Sequence, residues 1–168
     1  MYVEFEHLPG NSKIWIYQAD RELSQFEQEE INLAFSTYCN QWTAHGHPLK
    51  ASGKILYDRF LILAVDESAN AVSGCSIDES VYFVKELSHK MKIDFLNRDL
   101  VTFLNSQNNQ IFTVTIKEAK DMAAQNSIEN DLLIFNNFIL EKSSLKNGWV
   151  IPVKDSWLNK WMPKNLTL

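Results

Sequence analysis

The sequence predicts an α+β fold in which two main helices cover one face of an antiparallel sheet. Short segments rich in aromatic and β-branched residues alternate with two long segments of helical periodicity. Through Leu104 the order is strand, helix, strand, strand, helix, strand, which is the ferredoxin-like β-α-β-β-α-β order. We therefore expect a ferredoxin-like antiparallel sheet with a C-terminal β/α extension, in a single domain over residues 1–168.

The strands are predicted from their composition and from the turns between them. KIWIYQ (Lys13–Gln18) is the first. GKILY and FLILAV flank Asp58–Arg59 and predict a hairpin, the alternative being one long strand through Arg59. LVTFL and IFTVT flank the turn-prone NSQNNQ and predict a second hairpin. LLIF and WVIPV follow, and Pro152 places WVIPV at a sheet edge or strand end because proline cannot donate to the ladder.

Three S/T-x-x-E patterns predict where helices begin. SQFE at Ser24, SIDE at Ser76 and TIKE at Thr115 fit a capping box, in which the hydroxyl and the acid each bond a backbone amide. Apolar residues at three- and four-residue spacing follow each pattern, and the third helix is the shortest, ending near Asn126. A short helix over 155–162 carries two tryptophans on one face, which we expect to dock onto the domain itself rather than onto a partner.

Composition and charge exclude several functional classes. A net charge of −5 argues against a broad basic surface for nucleic acid or an anionic membrane. No apolar run approaches the roughly 18 residues of a membrane span. MYVEFEHLPG has acids and no basic stretch before an apolar run, so we expect no secretory signal. The two cysteines, Cys39 and Cys75, show neither CxxC nor zinc spacing. We expect a soluble cytoplasmic protein with reduced thiols that binds neither nucleic acid nor membrane.

Phosphate-binding loops are absent from the sequence. Its glycines, at positions 10, 46, 53, 74 and 148, are too far apart for a GxG motif. Lys54 follows Gly53, but no glycine lies five positions earlier and Ile55 stands where a Walker A motif has Ser or Thr. The sequence therefore predicts neither P-loop hydrolysis nor a dinucleotide cofactor, and we expect no cofactor.

Four segments resemble a family of bacterial proteins: CNQWTAHGHPLKASGKILYDRFLILAVDES, WIYQAD, SGCSID and VIPVKDSW. Together they are similar to an uncharacterised Bacteroidetes family of about this length, and the resemblance spans most of the chain. Its members are often labelled "ABC transporter ATPase", which the missing Walker motifs of this sequence do not support. The resemblance implies no catalytic residues. It implies a retained histidine at His45 and a variable position at His47, which argues against a metal site that needs both.

Cys75 is the candidate nucleophile of the sequence. A thiol at a helix N-terminus gains thiolate character from the helix dipole, and His45 with Asp66 would complete a thiol/acid site. Against this, Ser76 as the cap places Cys75 just outside the helix, and the acids of the first turn oppose a second anion. Cysteine is also commonly buried, so Cys75 is alternatively a core residue.

The remaining candidates concern metals and anions. His45 and His47 have H-x-H spacing, which can place two imidazoles on one metal, but a polar loop closed by Pro48 explains them as well. Arg59, Ser76 and Asp78 are candidate ligand-binding residues; Arg59 binds an anion or pairs with an acid at its turn. Asp66 and Asp78 suit Mg²⁺ or acid–base chemistry, but a solvated turn and a helix start account for both.

Two functions are consistent with these patterns. We expect a non-enzymatic binding or interaction module, with a homodimer among its possible assemblies, because every polar cluster has a structural explanation. The alternative is a small enzyme that uses Cys75, His45 and Asp66. The sequence names neither a ligand nor a partner.

Overall fold

The structure, a computed structural model, describes residues 1–128 and 131–163. Contacts divide it into two compact units. The first comprises Met1–Asn97 and Leu140–Ser144, and the second comprises Arg98–Ile139 and the described part of Leu145–Leu168. A single domain over 1–168 stays a prediction. No helix in the described ranges is long and apolar enough to cross a membrane.

The first unit is built on a three-stranded antiparallel sheet with two long helices. Its elements are a 3₁₀ turn (Phe5–His7), β1 (Lys13–Gln18), α1 (Gln25–Gln41), β2 (Thr43–Ala44), β3 (His47–Pro48), β4 (Lys50–Leu56), β5 (Phe60–Asp66) and α2 (Gly74–Met91). The strand order is β1-β5-β4, while β2 and β3 form a separate small ladder. Because β5 is central, all its residues from Phe60 to Val65 are buried.

The predicted hairpin of GKILY and FLILAV is confirmed by the antiparallel pairing of β4 with β5. The long-strand alternative is wrong, because the chain reverses at Tyr57–Arg59. Tyr57 and Asp58 both have positive φ, at 53° and 49°. Positive φ at two successive residues gives the turn a twist that matches paired strands.

Helix α1 packs closely against β4. A Cβ on Gly53 would overlap the Phe35 ring, so β4 needs a glycine where this ring approaches it. Phe35, Val84, Leu61, Leu63 and Val65 belong to the same buried cluster, which places α1 and α2 on one face of the sheet.

The two helices of this layer run antiparallel to each other. Lys90, near the end of α2, pairs with Glu30, near the start of α1, at 2.8 Å. Further along, the Phe83 ring stacks on Tyr38 with centroids 4.2 Å apart. These contacts fix which residues of α1 and α2 lie side by side.

The first and third predicted helix starts are confirmed, and the second is wrong. Ser24 with Glu27 and Thr115 with Glu118 form complete capping boxes. Helix α2, however, is capped by Ser73, and Ser76 is its third residue. The two serines bond each other's backbone amides, so no carboxylate is needed and the helix begins three residues earlier than SIDE predicts.

The second unit holds a four-stranded antiparallel sheet. Its elements are β6 (Leu100–Asn105), β7 (Ile111–Thr115), α3 (Ile116–Ala124), β8 (Leu132–Phe135), β9 (Val150–Pro152) and 3₁₀ turns over Val153–Asp155 and Trp157–Trp161; the short α4 (Ser144–Asn147) precedes β9. The order β7-β6-β8-β9 confirms the second hairpin and places Pro152 at the end of an edge strand, as predicted. The rings of Trp157 and Trp161 pack edge to face with their centroids 5.6 Å apart. The Nζ of Lys120 in α3 lies 4.8 Å from the centroid of the Trp161 ring. The tail therefore docks onto its own unit, as expected.

The α+β class with antiparallel sheets is confirmed, but the strand order differs from that expected of a ferredoxin-like sheet. LVTFL, the predicted fourth strand, is β6, and it pairs with β7 and β8. At β1, an isolated antiparallel bridge instead joins Lys13 to Glu141. The order of elements along the chain does not decide which strands pair, and β6 has its nearest partner, β7, directly after it.

Candidate functional site

Most of the residues predicted as site residues lie at one end of the first unit. The indole of Trp42 donates to the carbonyl of Ser76 at 3.0 Å, and the amide of Asn70 donates to the carbonyl of Pro48 at 3.3 Å. These bonds join the β2–β3 ladder, the 66–72 loop and the start of α2. Because the predicted site residues share this location, this end of the unit is the first candidate for a catalytic or ligand-binding site.

The two histidines belong to the tight turn between β2 and β3. His45 and Gly46 are its central residues, with φ of 51° and 78°, a conformation that favours glycine at the second position. Both imidazoles are exposed. Within residues 1–128 and 131–163, no group of three or more His, Cys, Asp or Glu side chains could hold a metal. The H-x-H spacing thus arises from a hairpin turn.

The acids at the end of β5 and just after it accept hydrogen bonds from the backbone of the loop that follows. Asp66 accepts from the backbone amide of Ser68 at 2.9 Å, and Glu67 accepts from that of Val72 at 3.0 Å. The hydrogen bonds from Ser68 lower the pKa of Asp66. An Asp held ionised in this way shapes the turn into α2 and is poorly suited to accept a proton near neutral pH.

Cys75 lies in the first turn of α2 with an exposed side chain. This corrects the prediction that it precedes the helix, which depended on a cap at Ser76. Ser76 itself is buried, and its hydroxyl donates to the carbonyl of Ser73 at 2.9 Å, so its atoms serve the helix start. Asp78 is exposed one turn further along.

Arg59 and Cys39 are the buried titratable groups of this unit that the sequence singled out. Arg59 is only 9% exposed in the β4–β5 turn, and burial lowers its pKa against the opposing effect of Glu22 and Asp20. Residues 19–23 are hydrogen-bonded to this turn: the backbone amide of Ala19 donates to the backbone carbonyl of Arg59 at 2.9 Å. Burial raises the pKa of the Cys39 thiol to about 12. Cys39 is a core residue.

The second unit has a shallow cleft of about 160 Å³. Its lining includes Asn136, Phe138, Asp155 and Trp157. Phe138 is 82% exposed at its edge. The cleft is smaller than the roughly 300 Å³ or more typical of small-molecule sites.

Three large apolar side chains of α1 and α2 are more than 60% exposed. Phe26 and Leu33, one heptad apart on α1, are 71% and 63% exposed, and Tyr82 on α2 is 62% exposed. We call these three residues the α1–α2 face. The antiparallel contacts of Glu30 with Lys90 and of Tyr38 with Phe83 place the two helices side by side beneath it.

Motifs of polar residues do not reveal this face in the sequence. A signal was present: Phe26 and Leu33 do not belong to the stripe of Ile31, Phe35 and Tyr38 that packs on the sheet. A helix with a second apolar position every seven residues, opposite its core stripe, has a second surface to cover.

Comparison with known proteins found no match. Neither the protein-family models, nor the curated proteins, nor the solved structures contain one that matches this chain.

Proposed function

We propose that this protein is a non-enzymatic interaction module that docks a protein partner through the α1–α2 face. The observation that carries the proposal is the exposure of Phe26, Leu33 and Tyr82 on one layer of helices. Leaving large apolar side chains in water costs about 1.5–3 kcal/mol each relative to burial. Covering these side chains with a partner therefore stabilises the complex.

The polar residues of the first unit support a binding role over a catalytic one. Asp66, Glu67 and Ser76 have their hydrogen-bonding atoms engaged by nearby backbone. His45 occupies a turn position with positive φ. These groups are therefore accounted for by local structure, whereas the α1–α2 face is not.

Radical footprinting in living cells tests this role without knowledge of the partner. Oxidation of Phe26, Leu33 and Tyr82 is compared between cells that express the chain and dilute purified protein. We expect several-fold protection of these three residues in cells, with Phe138, which is more exposed, as the internal control. Equal oxidation of the face in both samples would overturn the proposal.

A thiol enzyme around Cys75, His45 and Asp66 is the second candidate. The exposure of Cys75 in the first turn of the 18-residue α2 favours it, because the helix N-terminus stabilises a thiolate. This candidate is tested by comparing the alkylation rate of native Cys75 near neutral pH with that of the glutathione thiol. An activated thiol reacts about tenfold faster or more, and a rate no higher than that of glutathione contradicts this candidate.

A further inference from the structure

We infer that the cleft of the second unit binds one arginine side chain of a partner polypeptide. This cleft shares no residue with the α1–α2 face, so it adds a second binding site to the proposed function. Three features of the cleft point to arginine: its size, the aromatic rings in its walls, and a carboxylate that has no partner among the described residues.

The cleft is lined mainly by apolar side chains. Ile134 of β8 and Ile151 of β9 are direct cross-strand partners, and both belong to the lining. Phe138, from the segment after β8, and Trp157, from the 3₁₀ turn over Trp157–Trp161, add two aromatic rings. These side chains favour a ligand group that has an aliphatic stem and a flat end that stacks on rings.

Among the described residues, three polar side chains line the cleft, and two of them bond nearby backbone. The hydroxyl of Ser156 donates to the carbonyl of Val153 at 2.6 Å, and the amide of Asn136 donates to the carbonyl of Gly148 at 3.3 Å. The third, Asp155, is exposed. Its carboxylate makes neither a hydrogen bond nor a salt bridge within residues 1–128 and 131–163. The unsatisfied polar group of the cleft is therefore an anion.

No basic side chain of the described ranges lines the cleft. The Nζ atoms of Lys160 and Lys120 lie 4.0 and 4.8 Å from the centroid of the Trp161 ring, which is outside the lining. Lys154 precedes Asp155 along the chain, but its side chain is outside the lining as well. The cleft thus combines a negative charge with aromatic rings, and both attract a cation.

Arginine is the cation that matches this combination best. Its planar guanidinium stacks on aromatic rings and can donate two hydrogen bonds to one carboxylate, whereas the lysine ammonium is a compact point charge. Its methylene groups cover an apolar floor. The volume of about 160 Å³ is small for a whole ligand, so we expect one side chain of a polypeptide to enter.

The walls of the cleft are held in place by the protein itself. The backbone amide of Asn136 donates to the carbonyl of Trp149 at 2.6 Å, and Oδ1 of Asn136 accepts from the backbone amide of Phe138 at 3.4 Å. The hydroxyl of Ser156 accepts from the backbone amide of Leu158 at 3.2 Å. Phe138 is therefore 82% exposed on an anchored backbone. Anchored walls reduce the conformational entropy that binding removes.

An NMR titration of the isotope-labelled full-length chain with Nα-acetyl-arginine amide tests the inference. We expect saturable shifts at the backbone amides of Phe138 and Asp155 and at the indole N–H of Trp157. The dissociation constant should be on the order of millimolar, because one cation–aromatic contact and one exposed ion pair are both weak. Nα-acetyl-citrulline amide, which keeps the shape without the charge, is the matched control and should bind about fivefold more weakly.

Three variants show which residues bind the arginine amide. Asp155→Asn and Phe138→Leu should each lower the affinity for it about threefold, because one removes the charge and the other the ring. Asp121→Asn, at an exposed acid of α3 outside the lining, is the matched control and should leave the affinity unchanged. All three positions are exposed, and circular dichroism verifies that each variant is folded.

The absence of saturable shifts at these cleft residues across the millimolar range overturns the inference. Equal affinities for the arginine and citrulline amides overturn it too, as does an Asp155→Asn variant that binds arginine amide as tightly as the wild type.

The outcome is independent of the proposed function, because the α1–α2 face takes no part in the titration. An occupied cleft would also protect Phe138 from oxidation in cells. Leu140, which is 70% exposed and outside both the cleft and the α1–α2 face, is therefore a second internal control for the footprinting experiment. Arginine binding without protection of the face rejects the proposed function alone, and protection of the face without arginine binding rejects this inference alone.

Discussion

The ring of Phe35 occupies the space where a side chain at Gly53 would begin. This relationship sets the distance between α1 and β4. Gly53→Ala should therefore lower the free energy of unfolding by about 3 kcal/mol or more, because the overlap involves the rigid base of the ring. Urea denaturation measures the loss.

Gly74→Ala is the matched control for that substitution. A Cβ on Gly74 meets no atom within 4 Å, and Gly74 is the first residue of α2. Alanine there should leave stability unchanged or raise it by up to about 1 kcal/mol, since it restricts the unfolded chain. Equal effects of the two substitutions would show that steric overlap at Gly53 is not the cause.

The carboxylate of Glu27 links the start of α1 to Arg21. It receives hydrogen bonds from Arg21 at 2.8 and 3.0 Å and from the amide of Ser24 at 2.8 Å. The bonds from Arg21, and after them those from Ser24, lower the pKa of Glu27 to about 2. A lowered pKa stabilises the fold above the unfolded value of about 4.3, and that contribution is lost as pH falls toward 2.

Glu27→Gln should therefore destabilise the protein near pH 7 and have little effect at pH 2. At neutral pH we expect the substitution to lower the free energy of unfolding by about 0.5–1 kcal/mol, a small value because the ion pair is partly solvated. Urea titrations at several pH values measure it, and a double-mutant cycle with Arg21→Gln isolates the ion pair. A difference that persists unchanged at pH 2 would contradict the role of the charge.

The two cysteines should differ in reactivity. Cys75 is exposed, whereas Cys39 is fully buried with its pKa raised to about 12. Iodoacetamide should modify one thiol in the native protein and two after denaturation, as counted by mass spectrometry. Cys75→Ser should abolish native labelling and Cys39→Ala should retain it. Rapid labelling of native Cys75→Ser would show that Cys39 is accessible.

The position of the α2 cap can be tested by two substitutions. Ser73→Ala removes the hydroxyl that accepts a hydrogen bond from the backbone amide of Ser76. It should lower the free energy of unfolding by about 1 kcal/mol. Glu79→Gln, at the acid of the predicted SIDE box, should change stability by less than about 0.5 kcal/mol. Thermal unfolding of both variants decides between the two caps, and the reverse ranking would favour a helix that starts at Ser76.

Local signals predicted the elements of this fold well. KIWIYQ is a strand with the bounds that its composition indicates, and SQFE and TIKE cap helices as written. SIDE failed because the pattern requires only a hydroxyl and an acid three residues apart. The competing Ser73–Ser76 pair lies three residues earlier and satisfies the same backbone amides without an acid.

The candidate site was less predictable than the fold. The sequence singled out His45, Asp66 and Ser76, and their neighbours in space explain them as turn, loop and cap residues. The exposure of Tyr82 could not be predicted from its type, because aromatic residues are more often buried than not. Only the packing of α2 on the sheet decides which of its sides faces water.

By itself, the sequence determined the strands of the two larger sheets but not the short β2 and β3. It also determined two of the three capped helix starts, the edge position of Pro152 and the lack of a P-loop. These depend on residues within a few positions of one another, whose dihedral angles and hydrogen bonds are local. Tertiary structure alone decided that LVTFL pairs with LLIF in addition to its hairpin partner, that Arg59 is buried in its turn, and that Phe26, Leu33 and Tyr82 remain exposed. Strand pairing and exposure depend on contacts between distant segments, and these are set by packing the whole core rather than by any local pattern.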